Sequence, residues 1–474
     1  MMRAMLRHEL RWLFRNRRLQ LLGAITALLL IASGFAGDRA VRTAGRERER
    51  AVAQARADWV AQGPVNPHNA AHFGSFAFKP VGTLAILDGG IDAFVGNIIR
   101  LEAHAQNDAQ YAAASQQSVL VRLGSLDPAL VLLVLVPLLM IAIGYATIAD
   151  DRENGRLQVM VVQGVSLPAV FWAKTIALWT LAMCFLAAIG IQTLALASQA
   201  GARLDADVLS RVAAMAAVYA TWLLSVTLLV TIASAIVRDA RAALTGLLFL
   251  WIAAAIVAPR IAGRVAADRH PLPTRSAFEA AMREDRTKGL NGHDPEDARV
   301  KALESQVLKQ YGVKDKKDLP INFDGIAMQK DEEYGDAVWD RHFGALEQQL
   351  HAQRADLHAV ALVNPLMAVR ALSMAIAGTD LSHARQFQHQ AETYRRDLIQ
   401  RLNREQAYGG SKTDDWEWKA SASFIAGILD FVYAPPPLSA ALAEVKTPIR
   451  ALAGWTVLML LAGVVTGTRF RQHT

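Results

Sequence analysis

The chain has 474 residues, of which 53% are hydrophobic and 20% charged, and its mean hydropathy is +0.20. Soluble proteins are rarely this apolar, and a protein wholly embedded in lipid carries fewer charges, so the composition predicts membrane spans joined to sizeable aqueous segments. Basic residues crowd before the first apolar run and follow the last one, so the formal net charge of +7 does not indicate nucleic-acid binding. The single cysteine, Cys184, lies inside an apolar run, which excludes a disulfide framework and a thiolate zinc site.

The chain opens with an amphipathic segment, 1–18, that predicts a helix lying on the inner leaflet of a membrane. Leu6, Leu10 and Leu13 share one face of this helix, and arginines occupy the other. The apolar run that follows is long for a signal peptide and lacks a clean cleavage pattern, so we expect a retained anchor.

Six apolar runs are long enough to cross a bilayer, whose core of about 30 Å needs roughly 20 helical residues. They are 19–36, 128–149, 169–198, 208–237, 242–261 and 448–467. Short basic flanks mark the cytoplasmic side of a span. The arginines before the first run and after the last predict that both termini, including the tail 468–474, are cytoplasmic. The predicted fold class is therefore mainly α: a polytopic membrane protein with six transmembrane helices and a largely helical extracytoplasmic domain.

Two long segments lie outside the membrane in this topology, a first insert at 37–127 and a second insert at 262–447. The first is expected to open with a charged helix, 38–59, and to contain strands or a loop over 73–91. The apolar stretch 364–377 is too short to span, so it is expected to pack in the second insert or on the outer leaflet. Periodicity predicts further helices in the second insert, at 274–288, 294–311, 326–358 and part of 378–408.

A short charged segment, 150–168, connects the second and third apolar runs and begins Asp-Asp-Arg-Glu-Asn-Gly-Arg-Leu at Asp150. A charged helix between two spans must lie at the membrane surface, where a soluble partner can push on it. Arg152 and Glu153 would then contact a groove of the partner, and Gly155 would turn the chain back towards the bilayer. The alternative interpretation is an ordinary polar loop.

The motifs of an enzyme are not found in the sequence. The stretch 409–413 lacks the P-loop spacing, no His-Glu-x-x-His or Gly-x-Ser-x-Gly occurs, and the twelve histidines are interpreted as surface or hydrogen-bonded residues. We therefore predict no enzymatic activity, no metal site and no cofactor bound by this chain.

The spans carry essentially no ionisable residue between their ends, which argues against an ion-coupled transporter. The third and fourth spans do carry polar residues that serve either helix packing or a substrate path. These are Gln192, Thr193, Ser198, Thr221, Ser225, Thr227 and Thr231.

Glu153, Gly155 and Leu157 follow the second span, and Pro168 and Lys174 precede or open the third. This arrangement resembles the ABC-2-type permeases, the membrane subunits of one class of ABC transporter, which have a Glu-x-Gly-Thr-Leu pattern here and then a proline and a lysine. Arg156 stands where that family often has threonine, and the proline is displaced.

A second group of residues resembles a signature of one branch of that family, which has two large extracytoplasmic inserts and is described mainly as a domain of unknown function. The candidate motif positions are Gly378, Thr379, Asp380 and His383. They form either a ligand site or a turn in which Asp380 caps the helix that follows, and the cap is favoured. The matching stretches are Asn364-Pro365-Leu366, Ala377-Gly378-Thr379-Asp380, His383, Phe387, Ala391-Glu392, Tyr394-Arg395, Phe431-Val432-Tyr433, Pro435 and Trp455.

The resemblance implies a permease subunit of an ABC transporter, an exporter, in a bacterial inner membrane. It implies two partners: an ATP-binding cassette subunit, which holds the ATP, and a second permease that is the same or a related chain. Movement of the ATPase would reach the spans through the residues Arg152, Glu153, Gly155, Arg156, Leu157 and Pro168. Two alternatives stay open: a membrane-anchored envelope binding or assembly protein whose outside domain recruits a partner, and an enzyme without a recognisable site.

Overall fold

The computed structural model describes residues 2–110, 112, 126–290 and 296–469. Part of the first insert (111 and 113–125), the start of the helix predicted from 294, and the predicted tail beyond 469 lie outside the described residues. The described chain is mainly helical.

Six helical stretches of the described chain are long and apolar enough to span a membrane, which indicates a multi-pass membrane protein. We number them spans 1 to 6: Leu19–Ala61, Pro128–Glu153, Leu167–Gln199, Ala206–Ile236, Ala240–Arg269 and Lys446–Arg469.

The N-terminal region forms two helices, α1 (Met2–Arg15) and α2 (Arg17–Ala61), separated at Asn16. Helix α2 contains the first apolar run, 19–36, and continues without a break through the charged stretch that follows it. The helix predicted at 38–59 is confirmed, as the continuation of the helix that contains the first apolar run. The change from apolar to charged residues occurs among good helix formers such as Ala, Arg and Glu, so nothing stops the helix there.

The first insert continues with a short helix and a two-stranded antiparallel sheet. Ser75 pairs with Leu101, and Phe78 pairs with Ile98. The stretch predicted as strands or a loop contains the first strand and a 3₁₀ turn. The elements are α3 (Pro67–Phe73), β1 (Ser75–Phe78), the 3₁₀ turn (Thr83–Ile86) and β2 (Ile98–Leu101).

Spans 2 and 5 each contain a π-helical turn just before a proline, Pro137 or Pro259. Because proline has no backbone N–H, it interrupts the regular α-helical ladder at these points. Span 2 consists of α4 (Pro128–Leu130), the π turn (Val131–Leu135), α5 (Val136–Gly144) and α6 (Ala149–Glu153). It is followed by α7 (Arg156–Val162), α8 (Leu167–Gln199, span 3) and α9 (Ala206–Ile236, span 4). Span 5 consists of α10 (Ala240–Ile252), a π turn (Ala253–Val257) and α11 (Ala258–Arg269).

The core between the spans is apolar and closely packed. Spans 3 and 4 contact each other, span 4 contacts span 6, and α1 lies along span 3. Gly144 of span 2 allows a close approach to spans 3 and 4, because a Cβ at this position would lie 2.5 Å from Val230 and 2.8 Å from Leu178. Met140, Leu178, Leu223 and Val230 are buried in this core.

The second insert is built from helices, among which α14 and α16 pack along each other. Its helices are α12 (Arg275–Lys288), α13 (Glu296–Tyr311), α14 (Phe323–Val360), α15 (Pro365–Ala377), α16 (Leu381–Tyr408), α17 (Ala422–Ala426) and α18 (Leu438–Ala443). A 3₁₀ turn (Lys316–Asp318) lies between α13 and α14, and α19 (Lys446–Arg469) forms span 6.

Helix α15 is the apolar stretch that is too short to span. It packs against spans 4 and 6, with Leu366, Val369, Leu372 and Ile376 buried. This helix joins the second insert to the membrane helices.

Candidate functional site

The charged segment predicted as a single helix at 150–168 instead contains α6, which ends span 2, and the separate helix α7. Gly155 separates them with φ = +71°, a left-handed conformation that glycine adopts without strain. The start of α6 is fixed from span 4, because Ser234 Oγ accepts hydrogen bonds from the backbone N–H groups of Ile148 and Ala149 at 2.9 and 3.2 Å.

Arg152 and Glu153 bind the facing ends of spans 4 and 5. Arg152 donates hydrogen bonds to the carbonyls of Ala235 and Val237, at the C-terminal end of span 4. Glu153 Oε1 accepts a hydrogen bond of 2.9 Å from the N–H of Ala240, the first residue of span 5. A cation at a helix C-terminus and an anion at a helix N-terminus both interact favourably with the helix dipole. The two residues therefore tie α6 to both neighbouring spans.

A chain of ion pairs extends from α7 to the N-terminal helix. Arg156 lies 2.7 Å from Asp151 and 2.5 Å from Asp150, and its hydrogen bonds to Asp151 and then Asp150 raise the pKa of its guanidinium. Lys174 Nζ at the start of span 3 lies 2.8 Å from Asp151 and 2.9 Å from Glu9 of α1. The chain of charges thus connects four helices: α7, α6, α8 and α1.

Helix α7 presents one buried and one exposed apolar side. Leu157 is buried in a cluster with Phe171 and Leu228 from spans 3 and 4. On the other side, Val159 is exposed and Val162 is 88% exposed. Pro168 stands in the first turn of span 3, where a proline is compatible with helix geometry. The six predicted coupling residues therefore lie together in one compact segment with an exposed apolar tip.

The candidate motif residues Gly378, Thr379, Asp380 and His383, which we call the outer motif, form the turn between α15 and α16 and the first turn of α16. Gly378 ends α15 with φ = +79°, and the Asp380 side chain accepts a hydrogen bond from the N–H of His383 at 3.1 Å. The predicted N-cap at Asp380 is confirmed. His383 Nδ1 also lies 2.5 Å from Asp380 Oδ1, and the Thr379 carbonyl accepts a hydrogen bond from the N–H of Ile91 in the first insert. The four motif residues are thus a structural turn that joins the two inserts.

Burial and hydrogen bonding oppose each other at Asp380. Burial acts to raise the pKa of its carboxyl, but the hydrogen bonds from His383 outweigh burial and the pKa is lowered. His383 Nε2 is buried and has no hydrogen-bond partner within the described chain.

Some of the polar residues of spans 3 and 4 hydrogen-bond within their own helix, and two contact a neighbouring span. Thr227 and Thr231 hydrogen-bond to backbone carbonyls one turn earlier in their own helix. Gln192 donates to the carbonyl of Ile31 in span 1, and Ser225 lies 3.2 Å from the hydroxyl of Thr456 in span 6.

A buried polar junction, which the sequence did not reveal, joins the first insert, α15 and span 4. Asp88 contacts the hydroxyl of Ser373, and that hydroxyl lies 3.0 Å from the hydroxyl of Tyr219. Burial, and then the charge of Asp127, raise the pKa of Asp88 to about 7.

Three histidines of the first insert also lie together, and the sequence interpretation missed them. One ring nitrogen from each of His68, His72 and His104 lies within 4.8 Å of the others. Burial, followed by the neighbouring His72 and His104, lowers the pKa of His68 to about 4. The spacing of four between His68 and His72 was the available signal, since it places both on one face of a helix. His104 is distant in sequence from both, so no local pattern indicated that it joins them.

Comparison with known proteins gives one match. Residues 275–426 match the model of a family described as "Domain of unknown function (DUF3526)". The match lies within the second insert and includes the outer motif, but it covers less than half of the chain. No curated protein and no solved structure matches the chain.

Proposed function

We propose that this chain is the membrane-spanning permease subunit of an ABC transporter, an exporter driven by a separate ATP-binding subunit. The observation that carries the proposal is the construction of the segment α6–α7. Its inner side is tied to spans 3, 4 and 5 and to α1, while Val159 and Val162 are exposed at its tip. An exposed apolar tip on a firmly anchored segment is suited to receive a partner protein and to pass its movement on.

The contacts supply a route for that movement. A displacement of α7 acts through Arg156 and Asp151 on Lys174 of span 3. The same displacement acts through Glu153 on the start of span 5. Binding of ATP to the partner would favour one of two arrangements of these helices, which is sufficient to drive a transport cycle.

The remaining parts of the proposal rest on the resemblance to ABC-2-type permeases. These parts are the bacterial inner membrane, the cytoplasmic location of both termini, the second permease and the export direction. ATP would be held by the partner subunit, and this chain would bind no cofactor for transport.

The proposal is tested by purifying the tagged chain in mild detergent, together with whatever binds it, and measuring ATPase activity. We expect a stoichiometric ATP-binding subunit. Val162→Glu places a charge at the apolar tip and should weaken the association about tenfold or more, as expected for a central interface residue. Val432→Glu is the matched control, because Val432 is 81% exposed in the second insert, far along the chain from α7.

Glu153→Ala tests transmission separately from binding. This variant keeps the exposed tip but removes the hydrogen bond to span 5, so the subunit should still bind while the coupled ATPase activity falls. A chain that purifies without any ATP-binding subunit would contradict the proposal. It would favour the alternative of a membrane-anchored envelope assembly protein.

A further inference from the structure

The three histidines are held in place by the fold of the first insert. His68 and His72 lie one turn apart on α3, and their Nε2 atoms are 3.1 Å apart. The start of α3 is fixed by Asn66, whose side chain accepts the N–H of His68 and donates to the carbonyls of Trp416 and Trp418. The two imidazoles therefore project from a helix whose N-terminus is attached to the second insert.

His104 comes from the loop after β2 and is positioned by two contacts. The N–H of Ala103 donates to the carbonyl of Ala71, which lies between the two helical histidines. The N–H of His104 donates to Glu332 Oε1 at 2.7 Å, and its Nδ1 lies 2.8 Å from the same oxygen. His104 adopts φ = +61°, a left-handed conformation that non-glycine residues rarely adopt and that these contacts maintain.

The spacing of the ring nitrogens is close to that of a metal site. Two ligand nitrogens of a tetrahedral zinc ion, each at 2.0–2.1 Å, lie about 3.3 Å apart. The Nε2 atoms of His68 and His72 already have nearly this separation. A ring nitrogen of His104 lies within 4.8 Å of both, so small side-chain rotations would bring it to the same distance.

Glu332 lies where the supporting carboxylate of a metal-binding histidine usually lies, with its Oε1 atom 2.8 Å from His104 Nδ1. A histidine that binds a metal through one nitrogen commonly directs the other to a carboxylate, which fixes the ring orientation. Glu332 is buried and is itself held by Arg395 at 3.2 Å. The Glu332 carboxylate thus has both the backbone N–H of His104 and the guanidinium of Arg395 against it.

We propose that His68, His72 and His104 form a three-histidine site for a divalent transition metal, best suited to Zn²⁺. Imidazole nitrogen is a preferred ligand of Zn²⁺, and three protein ligands leave a fourth position for water. Glu332 acts as a positioning residue for His104, leaving Nε2 of that ring for the metal. Because Glu332 belongs to α14 and the histidines to the first insert, the bound ion would fasten the two inserts together.

The test uses the full chain in detergent, purified through a tag without histidines, stripped with EDTA and then titrated with Co²⁺. Visible absorption reports the coordination of Co²⁺, and added Zn²⁺ should displace it. We expect one equivalent per chain with the bands of a four-coordinate site. His72→Ala should weaken binding at least tenfold without disturbing the fold, because His72 is exposed.

His389→Ala is the matched control, since His389 is also an exposed histidine with a single carboxylate partner, Glu347. It should bind Co²⁺ like the wild type. The site is refuted if the wild type takes up no stoichiometric Co²⁺, or if His72→Ala and His68→Gln both bind as tightly as His389→Ala.

The positioning role of Glu332 is tested with Glu332→Gln. We expect the affinity for Co²⁺ to fall about 10- to 100-fold, together with a shift of the absorption bands. Thermal unfolding of the metal-free variant measures the purely structural contribution of Glu332. If that unfolding temperature drops while the affinity and the bands stay unchanged, Glu332 does not position a metal ligand.

Discussion

Lys174 Nζ lies 2.8 Å from Asp151 Oδ2, and the lysine side chain is only 5% exposed. The same ammonium lies 2.9 Å from Glu9 on the N-terminal helix. A single cation thus bridges two carboxylates, Asp151 on α6 and Glu9 on α1, and Asp151 has Arg156 as a second partner. Removing the lysine leaves the largely buried Glu9 carboxylate without this partner.

We predict that Lys174→Met destabilises the protein by about 3 kcal/mol, because the Glu9 carboxylate loses its cation while Asp151 retains only Arg156 of its two. Thermal unfolding in detergent measures the loss, and limited proteolysis should show release of α1. Lys288→Met is the control, since Lys288 forms an exposed pair with Glu284 and its loss should have no measurable effect. Equal stability of the two variants would contradict the prediction.

Gly155 should be sensitive to substitution for conformational reasons alone. No atom lies within 4 Å of a Cβ at this position, so the cost comes only from its φ of +71°. Gly155→Ala should destabilise the α6–α7 junction by about 1 kcal/mol, with Gly155→Asn tolerated better. Hydrogen–deuterium exchange of 156–162 measures the effect.

The control for this experiment is Gly45→Ala. Gly45 also has open space around it, but it lies inside helix α2, where alanine is favoured over glycine by about 1 kcal/mol. The same substitution should therefore stabilise at Gly45 and destabilise at Gly155. If neither variant exchanges faster than the wild type, or if both do, backbone conformation does not decide the outcome.

The Asp88 junction predicts a dependence of stability on pH. The pKa of Asp88 is raised from 3.8 to about 7 in the folded protein, so the folded state binds one more proton than the unfolded state between these values. Its contribution to stability is complete below about pH 4 and is lost as the pH rises through 7.

Asp88→Asn removes this dependence because the amide is neutral at every pH. The unfolding temperature of the wild type should fall more steeply from pH 5 to pH 8 than that of the variant. Taking the difference between the two curves cancels the contributions of other titrating groups. Parallel curves would show that Asp88 does not carry the effect.

Arg395 is predicted to be the most sensitive charged residue of the second insert. It is 1% exposed and forms ion pairs with Glu332, Asp336 and Glu392. Arg395→Met should cost about 3–5 kcal/mol, because buried carboxylates are left without their partner. Arg275→Met, at an exposed pair with Glu279 in the same insert, should have no measurable effect in the same thermal assay.

The sequence predicted the existence of the six long apolar helices more accurately than it predicted where helices end. Hydropathy marks where a chain leaves the membrane, but a helix ends only where its backbone hydrogen bonds end. Span 1 shows the difference, because α2 continues beyond the apolar run to Ala61. At 150–168 the sequence predicted one helix, and the left-handed Gly155 divides it into two.

The candidate sites show a similar limit. Asp380 could be predicted as a cap because an N-cap depends on residues close in sequence. The partners of Arg152 and Glu153 lie in spans 4 and 5, and Glu332 meets His104 across more than two hundred residues. Contacts of this kind depend on the packing of whole helices, which local patterns do not specify.

The length of α2 has a mechanical consequence. The far end of this helix is held by the second insert, since Trp59 Nε1 donates to the carbonyl of Ile425 and Arg56 donates to the carbonyls of Ala426 and Ile428. At 1.5 Å per residue the helix extends about 60 Å from Leu19 to Trp59, so a tilt of about 10° at the inner end displaces the outer end by about 10 Å. Because α2 has no break between Leu19 and Trp59, a small change in the angle of its N-terminal part would produce a large displacement of the second insert, which holds the other end.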